Sequence, residues 1–159
     1  MNLLFSDEKI REKLGKTIFL AGPTSRKNVF EKSWRKEAVG IVEKIGFNGT
    51  ICLPEFKEAR PFSDEDDWDT QTDWEWKLLD NADCIVFWIP RELPDMPGFT
   101  TNLEFGCYIT KCPEKVVLGY PPFAEKMQWI DKKYRISTGR IPNDNLYDTI
   151  KEAIEIANK

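Results

Sequence analysis

Short apolar segments alternate along the chain with segments in which apolar residues recur every three or four positions. The apolar segments are typical of β-strands, and each of the first three stops at a glycine or a proline. The third, 84–89, is apolar throughout and lies between Asp83 and Pro90. The predicted strands are residues 17–21, 50–53, 84–89, 115–119 and, with the weakest pattern, 134–136.

The segments between the strands have the three- and four-residue spacing of amphipathic helices. The predicted helices are residues 30–45, 73–82, 101–110, 123–131 and 143–158. Strands that are apolar throughout are buried on both faces, so this alternation favours a parallel sheet covered by helices. We therefore expect one α/β domain over residues 1–159, flavodoxin-like and doubly wound, with five strands in the order 2-1-3-4-5.

Composition narrows the chemistry. The net charge of −4 argues against a protein that holds a nucleic-acid backbone by bulk charge. The absence of histidine excludes histidine-based triads and metal sites. The four cysteines form no CxxC pair, which favours free thiols over a zinc site. We expect no metal, no cofactor and no nucleic-acid partner.

The location of the protein is predicted from what its sequence lacks. No run of 18 apolar residues is present, and the charged segment 1–16 has no signal-peptide core. We therefore expect no membrane association and a cytoplasmic location.

Ligands of open parallel sheets bind beyond the carboxyl ends of the strands, where the strand order reverses. The first predicted strand is followed there by Gly22, Pro23, Thr24, Ser25 and Arg26. Glycine allows close approach of a ligand, and the next side chains supply hydroxyl and guanidinium donors. The same residues also suit a plain strand-to-helix turn.

Two carboxylates flank the third predicted strand. Glu104 stands near the start of a predicted helix, either as a reactive group or as the partner of a capping threonine at Thr100 or Thr101. Gly106, unusual inside a helix, suggests that something packs closely there. Glu75 lies one helix earlier and is either a surface residue or a second functional carboxylate. A nucleophile and a proton carrier are what the cleavage of a glycosidic bond needs.

Two connections are too long for simple turns, 54–71 and 90–100. The first contains the acidic run 64–67, which suits a solvated loop, a lid over a ligand or, less well, a divalent cation site.

The chain resembles the nucleoside 2-deoxyribosyltransferase family and the related nucleotide N-glycosidases, which hydrolyse nucleoside 5′-monophosphates. The matching segments, within about residues 17 to 120, are Ala21-Gly22-Pro23, Trp74-Glu75-Trp76 with Ala82-Asp83, and Asn102 to Gly106. By this resemblance Glu104 matches the nucleophile and Glu75 a proton-handling aspartate, while the Gly22 loop and Asn102 line the substrate pocket.

The chain departs from the family pattern at two places. Glutamate replaces aspartate at position 75, and Ile18 and Phe19 stand where a first-strand tyrosine often steadies the nucleophile. Tyr108, one turn beyond Glu104, is either an alternative hydroxyl or a core residue.

The resemblance implies a small-molecule nucleoside or nucleotide substrate and a homo-oligomer in which a neighbouring subunit completes the site. Met127 and the stretch around Trp129 are candidates for that contribution. Three functions compete: transfer of 2-deoxyribose between bases, hydrolysis of a nucleotide, and nucleotide binding without catalysis. Ser25 and Arg26 favour hydrolysis if they hold a 5′-phosphate.

Overall fold

The computed structural model describes residues 1–24, 33–58 and 65–159 of the chain. The strands are β1 (Asn2–Phe5), β2 (Thr17–Ala21), β3 (Thr50–Leu53), β4 (Cys84–Trp88) and β5 (Val116–Gly119). The helices are α1 (Trp34–Ile45), α2 (Glu65–Asn81), α3 (Phe99–Lys111), α4 (Gln128–Thr138) and α5 (Leu146–Ala157).

The five strands form one parallel sheet in the order β1-β3-β2-β4-β5. Helices cover both of its faces, which confirms the flavodoxin-like α/β fold. Side chains of α2, α3 and α4 pack on one face, and those of α1 and α5 pack on the other. Along β2 the two faces alternate, so that Phe19 points to the first layer and Ile18 to the second.

The predicted order 2-1-3-4-5 is wrong in its fifth strand, while the four shared strands keep their predicted order. Residues 134–136 lie inside α4, because Ile130 and Tyr134, four residues apart, are both buried against the sheet. The fifth strand is instead β1, which pairs with β3 at the opposite edge. Its four residues are followed by a charged segment, so its pattern was too short to be recognised.

Two helices differ from their predicted bounds by five residues or more. Helix α2 begins at Glu65 rather than Asp73, so most of the acidic run 64–67 belongs to a helix and not to a loop. The predicted helix at 123–131 is replaced by α4, which begins at Gln128.

The carboxyl ends of β2 and β4 meet at the predicted point of strand reversal. Gly22 follows β2 with a φ of 152°, and a Cβ added there would lie 2.2 Å from the carbonyl oxygen of Trp88. No other residue fits without moving the backbone, so glycine sets how closely the two strand ends approach.

Four free cysteines are present, and Cys52 and Cys84 are buried. Burial raises the pKa of the Cys52 thiol to about 12, so this thiol is unreactive. In the described ranges no group of three or more cysteine or acidic residues could hold a metal ion. No helix within those ranges is long and apolar enough to cross a membrane.

Candidate active site

A buried arginine organises the edge of the sheet beyond β2 and β3. Arg35, in the first turn of α1, is only 1% exposed. Its Nε donates to the carbonyl of Leu20 at 2.9 Å, and its Nη2 donates to the carbonyl of Gly22 at 2.6 Å. Its Nη1 donates to the Thr24 hydroxyl at 3.1 Å. The guanidinium therefore fixes the backbone on both sides of the β2 end.

The counter-charge of Arg35 comes from the next strand. Glu55, two residues beyond β3, accepts from Arg35 Nη1 at 2.9 Å and from the Ser33 hydroxyl at 2.7 Å. Ser33 also caps α1, since its hydroxyl accepts from the backbone N–H of Arg35. A buried ion pair with these extra hydrogen bonds is geometrically specific, whatever its net contribution to stability.

The start of α3 lies against the loop after β2. Gly98 precedes α3 with a φ of 63°, and a Cβ added there would lie 3.3 Å from Cβ of Pro23. The indole of Trp34 holds Pro23 in place by donating to its carbonyl at 3.1 Å. The loop and the helix that carries Glu104 therefore border the same region.

Glu104 lies in the second turn of α3, so the capping interpretation is wrong. The helix begins at Phe99 after Gly98, and none of the described side chains caps it. Glu104 is half-buried, and no hydrogen bond to its carboxyl comes from the residues that the structure describes. Burial raises the pKa of Glu104 to about 7, the negative charge of Glu75 adds to this increase, and the charge of Arg35 opposes it.

Glu75 is the second carboxylate of the pair. It is half-buried on α2, and its Oε1 accepts from Nε2 of Gln71 at 2.7 Å. Burial raises the pKa of Glu75, while the Gln71 hydrogen bond and the charge of Arg35 lower it. Because Glu75 acts on Glu104 and Arg35 acts on both, the three charges share one electrostatic environment.

The comparison with protein families identifies the family of the chain. The model of the family described as nucleoside 2-deoxyribosyltransferase like matches residues 15–123. The chain belongs to this family. The match spans β2 to β5 and includes Arg35, Glu75 and Glu104. A search of curated proteins gives no match.

Membership of the nucleoside 2-deoxyribosyltransferase-like family implies a function of that general kind, with a small-molecule nucleoside as ligand. Of the loop residues predicted to bind it, Gly22 and Thr24 are held by Arg35, and Pro23 by Trp34. Ser25 and Arg26 lie outside the described residues.

The remaining candidates on α3 have diverse environments. Asn102 is exposed and accepts a hydrogen bond from the guanidinium of Arg91. Tyr108 is a core residue whose hydroxyl donates to Asp80, so it does not replace the absent strand tyrosine. The expectation of close packing at Gly106 is wrong within the described part of the protein, since a Cβ there would meet nothing within 4 Å.

Arg35 and Gln71 were missed, although the helical spacing contains a signal for each. Arg35 lies three residues before Ala38 and so falls on the buried stripe of α1, where an arginine needs a specific partner. Gln71 lies one turn before Glu75 on the same side of α2. Both were overlooked because charged and amide side chains are usually solvated.

The raised pKa of Glu104 predicts a pH-dependent effect of Glu104→Gln on stability. The neutral carboxyl is the form that the fold favours, so its contribution is full below about pH 4.5 and is lost as the pH rises through about 7. At pH 8 the variant should exceed the wild type in free energy of unfolding by about 1–2 kcal/mol, allowing for solvent screening.

Urea unfolding at pH 8 and pH 5 measures this difference. At pH 5 the difference should be much smaller, because the Glu104 carboxyl is then neutral in the folded protein. A variant less stable than the wild type at pH 8 would show that the Glu104 charge supports the fold.

Proposed function

We propose that the protein cleaves the N-glycosidic bond of a deoxynucleoside or nucleotide through a covalent glycosyl ester on Glu104. The deoxyribosyl group is then transferred to another nucleobase. The observation that carries the proposal is the placement of Glu104 and Glu75 on adjacent helices, close enough for one charge to act on the other. Membership of the family supports the same chemistry.

In the first step a carboxylate oxygen of Glu104 attacks C1′ of the sugar. The C1′–N bond breaks as the C1′–O bond forms, through a transition state with oxocarbenium character. The base leaves with the electron pair of the broken bond and takes a proton from Glu75. The charge of Arg35 assists by favouring the ionised form of Glu104 over the neutral one.

In the second step an acceptor base attacks C1′ and releases Glu104 as a carboxylate. Glu75 takes back the proton that the acceptor loses, so atoms and charges balance over the cycle. A carboxyl whose pKa is raised by burial suits this task, because it keeps its proton to a higher pH than an exposed glutamate does and can still release it to the departing base.

The nucleoside binds, in this proposal, against the loop of Gly22, Pro23, Thr24, Ser25 and Arg26, with Asn102 at the start of α3. Asn102 uses its carbonyl oxygen for Arg91, which leaves its amide N–H groups for an acceptor on the ligand. Water in place of the acceptor base would give hydrolysis from the same intermediate.

Substitution of the two glutamates tests the proposal. Glu104→Gln keeps the shape and removes the attacking charge, so turnover of a deoxynucleoside with a free acceptor base should fall at least about a thousandfold. Glu75→Gln should lose about 10²–10⁴-fold, and less with a base that leaves without protonation. Chromatography of released and newly formed nucleosides measures both.

The matched control is Glu114→Gln, which changes an exposed glutamate in the short turn before β5. It should keep wild-type turnover. Base release that needs no acceptor assigns hydrolysis instead of transfer. A Glu104→Gln variant with normal turnover excludes Glu104 as the nucleophile.

We also infer that the protein is a homo-oligomer that uses the layer of α2, α3 and α4. Among the described residues, most of the exposed large apolar side chains lie on these helices or on the connections that lead to them. They are Trp76, Leu93, Phe99, Leu103, Phe123, Trp129 and Ile136. Phe99 and Leu103, 75% and 71% exposed, form one stripe on the helix that carries Glu104. Met127 is buried in its own subunit, whereas Trp129 is free to reach a neighbour.

Light scattering should therefore give a mass above the 18.5 kDa of one chain. Leu103→Glu should lower that mass, because a charge would be buried in the interface. Tyr147→Glu, at an exposed aromatic residue on α5, is the control and should leave the mass unchanged. A monomeric wild type at working concentration would contradict the inference.

A further inference from the structure

The amide of Gln71 forms a hydrogen bond with Glu75 through its nitrogen, while its oxygen has no partner in the part of the chain that the structure describes. Its Nε2 donates to Oε1 of Glu75 at 2.7 Å, one helical turn away on α2. Its own Oε1 is buried, and no hydrogen-bond donor for it is found among the described residues. A buried acceptor without a donor is unfavourable, so the presence of a glutamine at this position needs an explanation.

The two ends of an amide match the two protonation states of a carboxyl. An ionised carboxylate only accepts hydrogen bonds, and the N–H of Gln71 supplies one. A protonated carboxyl has an O–H to donate, and the free Oε1 of Gln71 accepts it after the amide rotates by half a turn. A glutamine can therefore form a hydrogen bond with the Glu75 carboxyl both before and after proton transfer.

We propose that Gln71 is the positioning residue of Glu75, holding the carboxyl in place in both of its protonation states and favouring the ionised one. The role is separate from catalysis, because Gln71 acts through Glu75 and does not need to touch the sugar or the base. As a part of the reaction cycle it rests on the proposed function. The effect of Gln71 on the charge of Glu75 is independent of the proposed function and can be measured without it.

Two other charged groups act on the same carboxyl environment. Arg35, from α1, favours the ionised form of Glu75. Glu104, from α3, is a like charge that interacts with Glu75. Neither replaces the Gln71 hydrogen bond, since the described structure contains no hydrogen bond from Arg35 to Glu75 and Glu104 repels it. Loss of Gln71 should therefore shift the shared proton of the two glutamates towards Glu75.

The test is an NMR titration of the full chain labelled with ¹³C at the glutamate carboxyl carbon. The Glu75 resonance is assigned by its loss in Glu75→Gln. Gln71→Met keeps the length of the side chain and removes the donor, so the midpoint of Glu75 should rise by about one pH unit. Asn81→Met removes an amide from the exposed end of the same helix and should leave the midpoint unchanged.

An unchanged Glu75 midpoint in a folded Gln71→Met protein overturns the proposal. If Gln71→Met does not fold, Gln71→Glu replaces it. The two neighbouring carboxyls should then share a proton and give one strongly raised midpoint, and two ordinary midpoints overturn the proposal.

A kinetic measurement separates this proposal from the proposed function. The pH profile of turnover should shift in Gln71→Met and not in Asn81→Met. Suppose that the wild type is inactive on deoxynucleosides but the Glu75 midpoint still rises in Gln71→Met. This result would refute the proposed reaction and support the role of Gln71 towards Glu75.

Discussion

Arg35 carries a positive charge into the interior of the fold, where it must be fully bonded to be tolerated. Its partners are Glu55 and the groups at the end of β2, so one side chain links α1 to the edge of the sheet at which strand order reverses. The loop at Gly22 and the region bordered by α3 depend on this link. The same charge lowers the pKa of Glu75 and of Glu104, so Arg35 both holds the backbone in place and influences the charges of the site.

Glu75 and Glu104 form a pair of half-buried carboxyls whose proximity lowers the stability of the fold. Each is half-buried, and the charge of one raises the pKa of the other. Burial raises the pKa of both carboxyls; Arg35 lowers the pKa of both, and the Gln71 hydrogen bond lowers that of Glu75. A pair that shares its charge in this way is what acid–base and nucleophilic chemistry needs, and such strain is common where function competes with stability.

Much of the fold could be predicted because four strands are short, apolar and ended by clear breakers. The errors occurred where a pattern was too short or had two interpretations. Strand β1 has four residues beside a charged segment, and residues 134–136 alternate apolar and charged side chains as a strand does, although their neighbours have helical spacing. The edges of a sheet are set by long-range pairing, which a local pattern does not contain.

The two glutamates could be singled out from the sequence, but their interaction could not. Glu104 and Glu75 lie on different helices, and only the tertiary structure brings their charges within reach of each other. Arg35 lies on the buried stripe of α1 and Gln71 lies one turn before Glu75, but neither position shows which groups the side chain contacts. Their burial depends on packing against β2 and on Glu75, which is a property of the folded chain.

The central claim is that Glu104 forms a covalent bond to the sugar, and mass spectrometry of the quenched enzyme tests it most directly. The wild type is mixed with a deoxynucleoside in the absence of an acceptor base, quenched in acid and digested. We expect a deoxyribosyl adduct on the peptide that contains Glu104, and none in Glu104→Gln treated in the same way. An active enzyme whose adduct lies on another residue would contradict the account.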